Sequence, residues 1–424
     1  MNSTNSENII SQTGSKVWAL RLDHACAVLG GAIPVGIVFG TTVFELVIAL
    51  IGILWLLRVA LSREHHLRCV AGLPIISPLV LFFACILISA AANFHNMNRF
   101  AEDFLFFRYP LCVIALVDIS HRRPVYRYLL KGLIISILLC IVNTVMVHLV
   151  GYDMIGGDIS RYTGKHKEAK TFTGISAFAS PFFISWAVFS TRLRPINRVL
   201  LFGLGLISLG LVIQFAIRNV LVAVLAGNFW VLFVFLKRRY SISWASVLIL
   251  VLSIGAGIYL YVNPPYLGSF YDRLHIWKVT WKIWQEHPIL GTSTLGYMDA
   301  YTNTLTSETL SQFAYIAPDG SIYNGMVDGS IEIATHAHSL FFMLISTTGI
   351  LGLSVFIWLM WDAVRLVVKD HEGWRVGLIS WPIVFMVIGL AGFNIYDAFY
   401  TSLFSYFLVL ILSSHRIITL DHKN

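Results

Sequence analysis

Long apolar segments recur along almost the whole chain and are separated by short polar stretches. About twelve are long enough to cross a hydrocarbon core of ~30 Å, which requires ~20 helical residues. They lie near residues 24–40, 42–60, 72–92, 100–118, 130–150, 174–191, 198–215, 219–236, 243–262, 338–359, 377–393 and 400–414. The pattern predicts an all-α integral membrane protein with about twelve transmembrane helices, nine within 1–262 and three within 338–424. The large loop at 263–337 separates the two groups.

Two of these segments have unusual features. The first two form one continuous apolar run, and the predicted turn is at 40–42. The fourth carries Glu102, Asp103 and Arg108, charges that a lipid-facing helix would not keep. We therefore expect the fourth segment to face the protein interior.

Lysine and arginine are distributed unequally between the two predicted sides of the membrane. The side with both termini carries twenty of the thirty Lys and Arg residues. Because short cytoplasmic loops are enriched in these residues, both termini are predicted to be cytoplasmic and the large loop to face outward. In a bacterium, this arrangement is that of a multi-pass inner-membrane protein with a periplasmic loop.

The other ten Lys and Arg residues lie on the predicted outer side. Positive charge is disfavoured in translocated loops, so their presence there needs an explanation. Headgroup contacts or local salt bridges would explain any one of them. As a group they could line a pocket for a strongly anionic ligand, because guanidinium groups bind phosphate through paired charge-assisted hydrogen bonds. Arg218 stands alone between two apolar segments, and one short loop holds Arg161, Lys165, Lys167 and Lys170.

Within the large loop, residues 271–288 have helical spacing. The tryptophan-rich face comprises Leu274, Trp277, Trp281 and Trp284. Lys278 and Lys282 share another face, and Pro288 ends the pattern. Such a helix is expected to lie along the membrane interface, although Arg273 near its start could point into the protein. The glycine-rich stretch that follows predicts a loop rather than a phosphate cradle, because no Gly-Lys-Ser/Thr follows it.

A pair of histidines precedes the tenth apolar segment. His338 is predicted at the start of that helix, where free backbone N–H groups and the dipole favour an anion. His336 lies two residues earlier, so on a helix the two side chains would point apart, which argues against a metal site built from the pair. A lone interfacial histidine would equally serve as a polar cap. Gly349 and Gly352, deeper in the segment, are expected to permit close helix packing.

Composition excludes the soluble classes. Apolar residues make up 57% of the chain and charged residues 12%, whereas soluble domains have about 25% charged residues. The five cysteines lie in or beside apolar segments and show no disulfide framework or metal-ligand spacing. The polar first sixteen residues lack the apolar core of a cleavable signal, so the first segment is expected to act as an uncleaved signal.

The tenth segment carries a motif that resembles a known signature. His338-Ser339, nine residues, and then Gly349-x-x-Gly352 resemble the signature of the O-antigen ligase family. The motif separates the O-antigen ligase and polymerase superfamily from other membrane proteins better than it separates its members from one another.

Upstream residues extend the resemblance. Arg273-x-x-x-Trp277, the stretch at 287–291 and Gly296 are similar to the block that precedes the histidine across this superfamily. Arg218 is similar to the arginine that the family places at the outer end of a membrane helix. In the segment FAIRNV, Arg218 is flanked by Ile and Asn instead of the family's Ser/Thr before the arginine and Ser/Gly after it.

The resemblance implies a C-type glycosyltransferase architecture with its active site in a periplasmic cavity. The donor would be O-antigen polysaccharide on undecaprenyl diphosphate, and the acceptor would be a sugar hydroxyl of lipid A–core. The reaction would be inverting and metal-independent, without a cofactor. Two other functions stay open: an O-antigen polymerase or protein O-oligosaccharyltransferase of the same superfamily, and a polytopic transporter or flippase. The modest loop near 151–173 argues against a polymerase, and the absence of a repeat between halves argues against a transporter.

The chemistry assigns roles to the candidate residues. The leaving diphosphate must be neutralised, and no outward Asp-x-Asp is present to hold a divalent ion, so arginines are expected to replace it. Arg218 and Arg273 are the first candidates. Further candidates for diphosphate binding are Arg161, Lys165, Lys167 and Arg108. The attacking hydroxyl needs a base, and His338 has a suitable ordinary pKa; hydrogen bonding to the diphosphate is its alternative role.

Overall fold

The computed structural model shows a helical protein. It describes residues 3–62, 70–94, 97–150, 167–191, 193–215, 217–239, 268–306, 308–317, 320–324, 326–327, 330–331, 334–368, 375–392 and 396–421. Before the large loop, the helices are α1 (Ser3–Phe39), α2 (Thr41–Ser62), α3 (Ile76–Ala92), α4 (Met97–Leu105), α5 (Arg108–Ile119), α6 (Val125–Val150), α7 (Lys167–Phe189), α8 (Pro195–Phe215) and α9 (Arg218–Arg239).

The large loop contains short helices and two small hairpins, and three helices follow it. Its elements are α10 (Gly268–Glu286), α11 (Gly296–Thr304), α12 (Leu310–Phe313), β1 (Tyr315–Ile316), β2 (Ile322–Tyr323), β3 (Met326–Val327) and β4 (Ser330–Ile331). The last helices are α13 (Leu340–Val368), α14 (Arg375–Ala391) and α15 (Ala398–Asp421). β1 pairs antiparallel with β2, and β3 pairs antiparallel with β4.

The all-α membrane class is confirmed. Among the described residues, seven helices are long and apolar enough to cross a membrane, and they are α1, α2, α6, α7, α8, α9 and α13. Helices α3, α14 and α15 contain shorter apolar stretches. The predicted ninth span at 243–262 lies outside the described residues, so the count of twelve spans stays a prediction.

The predicted span at 100–118 is wrong as a single helix. The chain turns at 106–107, between α4 and α5. The reason is its charge pattern, because α4 carries Arg99, Glu102 and Asp103, charges that a helix within hydrocarbon would not keep. Asp103 of α4 is buried within the protein, and Arg99 forms an ion pair with Asp299 of the large loop. Helix α4 is therefore connected to the large loop through this ion pair.

The predicted turn between the first two segments is confirmed. α1 ends at Phe39, α2 begins at Thr41, and Gly40 between them has φ +118°. Residues with a side chain rarely adopt this backbone conformation, which explains the glycine.

Two groups of helices form the body of the protein. In the first, α1 packs against α2 and α6, and α15 packs against α5 and α6; in the second, α7, α9 and α14 pack on one another and α8 packs on α7. α13 packs against α3, α14 and α10. α1 and α6 cross closely, and a Cβ on Gly132 would overlap the carbonyl oxygen of Gly31. Small residues at this crossing let the two backbones touch.

Four charged side chains form a cluster of ion pairs inside the first group of helices. Arg58 lies 3.2 Å from Asp23 and 3.7 Å from Asp118, and Arg122 lies 2.8 Å from Asp23 and 3.2 Å from Asp118. The Trp55 indole also donates to Asp118, at 2.9 Å. Both carboxylates and Arg58 are buried, so each charge depends on the others for compensation. Two of the cations counted in the charge asymmetry are therefore internal.

The large loop has a small core of its own. The residues of this core are Val279, Ile283, Tyr297, Tyr301, Leu305, Leu310, Ala337 and Met343. Because Met343 belongs to α13, the core of the large loop is joined to a membrane helix. The loop is therefore held against the end of α13.

Candidate functional site

His338 occupies a turn before the helix. α13 begins at Leu340, and His338 has φ +49°, a conformation that is uncommon for a residue with a side chain. The next residue, Ser339, is buried, and its carbonyl oxygen accepts the Met343 N–H at 2.9 Å as the first hydrogen bond of the helix. The histidine is thus held at the helix mouth by a backbone bend, which is typical of functional positions.

The expectation that His336 and His338 point apart is wrong. Their ring centroids lie 4.0 Å apart with an interplanar angle of 47°. The expectation assumed helical geometry, whereas the left-handed bend at His338 turns both rings to the same side. The Thr335 hydroxyl lies 3.1 Å from Nδ1 of His336. His336 therefore belongs to the surroundings of His338. Among the described residues, no group of three or more His, Cys, Asp or Glu side chains is placed to hold a metal ion.

Trp277 fastens α10 to the turn that carries His338. Its indole N–H donates to the carbonyl oxygen of Ala337 at 2.9 Å. Its ring stacks on Phe342 of α13, with centroids 5.2 Å apart and planes 14° apart. Trp277 thus contacts the chain on both sides of His338 and fixes the distance between α10 and the helix mouth.

The core face of α10 differs from the tryptophan face that periodicity singles out. His275, Val279 and Ile283 are spaced by four residues and fully buried, whereas Trp281 is 45% exposed. The β-branched residues Val279 and Ile283 belong to the small core of the large loop. The prediction of a helix ending before Pro288 is confirmed, and its position at a membrane interface stays a prediction.

Arg273 precedes Trp277 by four residues and so lies on the same face of α10. It is half-buried, and burial lowers the pKa of its guanidinium, while the neighbouring Asp272 acts in the opposite direction. An arginine nonetheless stays protonated at neutral pH. The alternative in which Arg273 points toward the protein is therefore favoured. Arg273 is a partly desolvated cation about one helical turn from the residue that holds the His338 turn.

His275 anchors α10 to the rest of the large loop. Its Nδ1 lies 2.9 Å from the carbonyl oxygen of Phe313, a distance at which Nδ1–H donates. Burial lowers the pKa of this imidazole, which keeps it neutral. Sequence reasoning did not single out His275, although its four-residue spacing from Val279 and Ile283 is a signal for the buried face.

The glycine half of the motif breaks α13. Gly349 has φ +66° and ψ −168°, which interrupts the helix. The loop after α10 lies along the break. The Thr292 N–H donates to the Ser346 carbonyl at 2.9 Å, and the Ile350 N–H donates to the Pro288 carbonyl at 3.0 Å. Backbone groups that the broken helix cannot pair internally are thereby satisfied.

Two glycines make this contact possible. A Cβ on Gly349 would overlap the backbone of Ile289, and a Cβ on Gly291, at φ +68°, would overlap the backbone of Thr347. The expected helix-packing role for Gly349 is therefore corrected, because it admits a loop into a helix break. At Gly352, a Cβ would meet the side chain of Thr348 in the same helix.

Helix α3 completes this arrangement, which we call the clamp (Ser89, Asn93, 288–293 and 346–350). The Ser89 hydroxyl donates to the Thr347 carbonyl at 2.6 Å and accepts the Ser293 N–H at 3.0 Å. The Asn93 amide donates to the Gly291 carbonyl at 2.9 Å. Sequence reasoning missed Ser89 and Asn93, because the motif contains no signal for residues about 250 positions upstream of it.

Arg108 is engaged in local contacts. Its guanidinium lies 2.8 Å from the Glu45 carboxylate, donates to the Leu105 carbonyl at 2.8 Å and lies over the Tyr109 ring. These contacts support the local salt-bridge explanation for this cation. Whether Arg108 also binds diphosphate stays a prediction.

The remaining predicted cations fall at or beyond the edge of the described structure. Arg218 is the first residue of α9, and Lys167 is the first residue of α7; the side chains of both lie outside what is described. Arg161 and Lys165 lie outside it entirely. The structure therefore brings together the turn of His338, the face of Arg273 and the clamp, and leaves these four cations as predictions.

These features define a multi-pass helical membrane protein with a histidine at a helix mouth and a half-buried arginine on the adjoining helix. Residues 202–357, a little over a third of the chain, match the sequence model of the O-antigen ligase family. The match runs from α8 into α13 and includes Arg218, Arg273, His338 and Gly349. It is consistent with a member of the O-antigen ligase superfamily and confirms the resemblance. No curated protein matches the chain in sequence.

Proposed function

We propose that this protein transfers O-antigen polysaccharide from undecaprenyl diphosphate to a sugar hydroxyl of lipid A–core, at the periplasmic face of the inner membrane. The observation that carries the proposal is the Trp277–Ala337 hydrogen bond within the segment matched by the family. It connects the helix of Arg273 to the turn of His338. The cation for the leaving group and the base for the nucleophile are thus carried by two segments that bond to each other.

The arginines act on the leaving group. As the glycosidic bond breaks, its electron pair moves to the departing diphosphate oxygen, and Arg273 and Arg218 stabilise the added charge. The half-burial of Arg273 supports this role, because electrostatic interactions strengthen away from water. Lys165, Lys167 and Arg161 would add positive charge along the path of the diphosphate. Arginines would replace a divalent ion in this mechanism.

His338 acts on the acceptor. The acceptor oxygen attacks the anomeric carbon from the face opposite the diphosphate, His338 takes the hydroxyl proton, and the configuration is inverted. General-base catalysis of this kind supplies ~10²–10⁴-fold in rate. The backbone bend at His338 supports the role, because it presents the ring at the helix mouth rather than along the helix surface.

Reconstitution with defined substrates tests the proposal. Purified full-length protein in lipid nanodiscs would receive undecaprenyl diphosphate-linked polysaccharide and lipid A–core. We expect lipid A–core to gain polysaccharide and free undecaprenyl diphosphate to appear. Elongation of the glycan on its own lipid carrier, or transfer to a protein serine, would contradict the ligase assignment in favour of a related activity.

A further inference from the structure

A cavity lies between the large loop and the end of α3, and His338 is not among its lining residues. It has a volume of about 440 Å³ and is bounded by α10, α11 and the segment at 309–313. Its polar lining includes Asn93, Glu286, His287, Asp299, Asn303 and Gln312. This size falls within the ~300–1,000 Å³ typical of small-molecule sites. We call this cavity the polar cleft.

We propose that the polar cleft binds sugar residues of one of the two glycan substrates. The inference deepens the proposed function and rests on it for the identity of the substrates. Three properties of the polar cleft support it: its charged side chains are paired, two of its amide side chains form no hydrogen bond with described residues, and hydrogen bonds hold its walls in place.

The charge of the polar cleft is balanced within the protein. Lys282 lies 3.3 Å from the Glu286 carboxylate, and Asp299 is paired with Arg99. Each carboxylate has a cation beside it, so the polar cleft offers no excess positive charge to a diphosphate. A neutral polyhydroxylated ligand fits this balance better than an anion does.

Two amide side chains are available for hydrogen bonding. Asn303 and Gln312 line the polar cleft and are exposed, and neither side chain forms a hydrogen bond with another described residue. An amide both donates and accepts, so it can pair with two neighbouring sugar hydroxyls at once. Phe313 supplies an apolar wall on which the C–H face of a sugar ring can pack.

The frame of the polar cleft is already in place. Thr292 of its wall is fixed to α13 through the Ser346 carbonyl, and the Asn93 amide is held by the Gly291 carbonyl. On the far side, the Thr309 hydroxyl donates to the Thr304 carbonyl at 2.7 Å. A rigid frame reduces the entropy lost on binding, which favours affinity for a weakly interacting sugar.

The position of the polar cleft suits sugars distant from the reacting bond. Glu286 lies nine residues beyond Trp277 on α10, so the two are about 13 Å apart along the helix axis. A few linked sugar rings span this distance. The reacting hydroxyl and the diphosphate would occupy the His338 region, while neighbouring sugar residues of the same chain occupy the polar cleft.

Binding of lipid-free glycans tests the inference independently of transfer. Core oligosaccharide would be released by mild acid from lipopolysaccharide that lacks O-polysaccharide, and O-polysaccharide would be released by mild acid from undecaprenyl diphosphate. The two would be titrated separately into the protein in nanodiscs. The fragment that binds distinguishes the acceptor from the donor. The variant is Asn303→Ala with Gln312→Ala. Matched controls are Thr302→Ala, beside Asn303, and Gln285→Ala, an exposed amide of α10 outside the polar cleft.

We expect the double variant to weaken binding of that fragment about tenfold or more, because two hydrogen-bonding groups are removed. The KM for the corresponding substrate should rise with kcat little changed. If the double variant is unstable, Asn303→Asp with Gln312→Glu tests the same groups with the shape retained. Unchanged binding in a folded variant, or no binding of either fragment to the unaltered protein, would overturn the inference. Cleft-dependent binding without any transfer would instead contradict the proposed function alone.

Discussion

His338 and Gly349 stand eleven residues apart in one motif, yet their surroundings differ in kind. Around Gly349, backbone groups of two segments bond to each other, Ser89 and Asn93 bond to them through their side chains, and there is no room for another side chain. Around His338, the backbone is bent and the side chain meets another imidazole. The glycine half of the motif has a structural role, whereas the proposed mechanism assigns a chemical role to the histidine half. A single signature therefore records two separate physical requirements.

The largest effect on activity is expected from His338→Ala. Transfer should fall by ~10²–10⁴-fold, because the acceptor hydroxyl loses its proton acceptor. Binding of the lipid-linked donor and thermal stability should stay close to those of the unaltered protein. Single-turnover transfer and donor binding, measured on the same preparation, check this. Full transfer by a folded, membrane-inserted variant would leave His338 as a polar cap.

Gly349→Ala should act through folding instead. The new Cβ would overlap the Ile289 backbone at a φ of +66°, and the strain together with overpacking should cost ~2–5 kcal/mol. We expect a lower yield of folded protein and a lower melting temperature, with donor binding lost in proportion. Gly203→Ala in α8 is the matched control, because its Cβ would meet no atom within 4 Å. Equal stability of the two variants would contradict the account of the helix break.

Arg273 should show a graded loss. Arg273→Ala is expected to reduce transfer severely, and Arg273→Lys to restore only part of it, because one ammonium cannot reproduce a planar guanidinium fork. The comparison uses kcat/KM for the lipid-linked donor. The control is Arg365→Lys, near the opposite end of α13 from His338, which should retain most transfer. Equal losses at the two positions would argue that Arg273 is structural.

His336 should matter, but less than its neighbour. Because the two rings are in contact, His336→Ala leaves a space beside His338, and we expect a loss of about tenfold through misplacement of the base. His336→Phe, which retains a ring, should recover part of the loss. His287→Ala, an exposed histidine of the polar cleft, should leave kcat unchanged. An unaffected rate in His336→Ala would show that the contact has no catalytic consequence.

Chelation should have the smallest effect. If arginines neutralise the leaving diphosphate, EDTA should leave the transfer rate unchanged. Loss of activity that Mg²⁺ or Mn²⁺ restores would mean that a divalent ion takes this role. Asp299 and Glu332 would then be the first acids to replace.

Several features of the molecule followed from local chemistry. Hydropathy was sufficient to predict the membrane class, the turn at Gly40 and the helix that ends before Pro288, because each depends on residues close in the chain. The spacing of His338 and Gly349 was sufficient to predict the family relationship. Charges within the fourth segment indicated contact with protein rather than lipid, but not the break between α4 and α5.

Other features depended on contacts between distant segments. Periodicity placed the tryptophans of α10 on one face, but only packing decided that Val279 and Ile283 form the buried face and that Trp277 binds Ala337. Helical geometry separated His336 from His338, whereas the left-handed bend brought their rings together.

The sequence by itself determined which residue types are present, their spacing and which segments are apolar enough to enter a membrane. The tertiary structure alone decided which cations are already paired, where α13 breaks, and that Ser89 of α3 holds the break. The physical reason is the difference in sequence range between these effects. Hydropathy and helix periodicity act over a few residues, while hydrogen bonds and ion pairs join atoms that only the fold brings within about 3 Å.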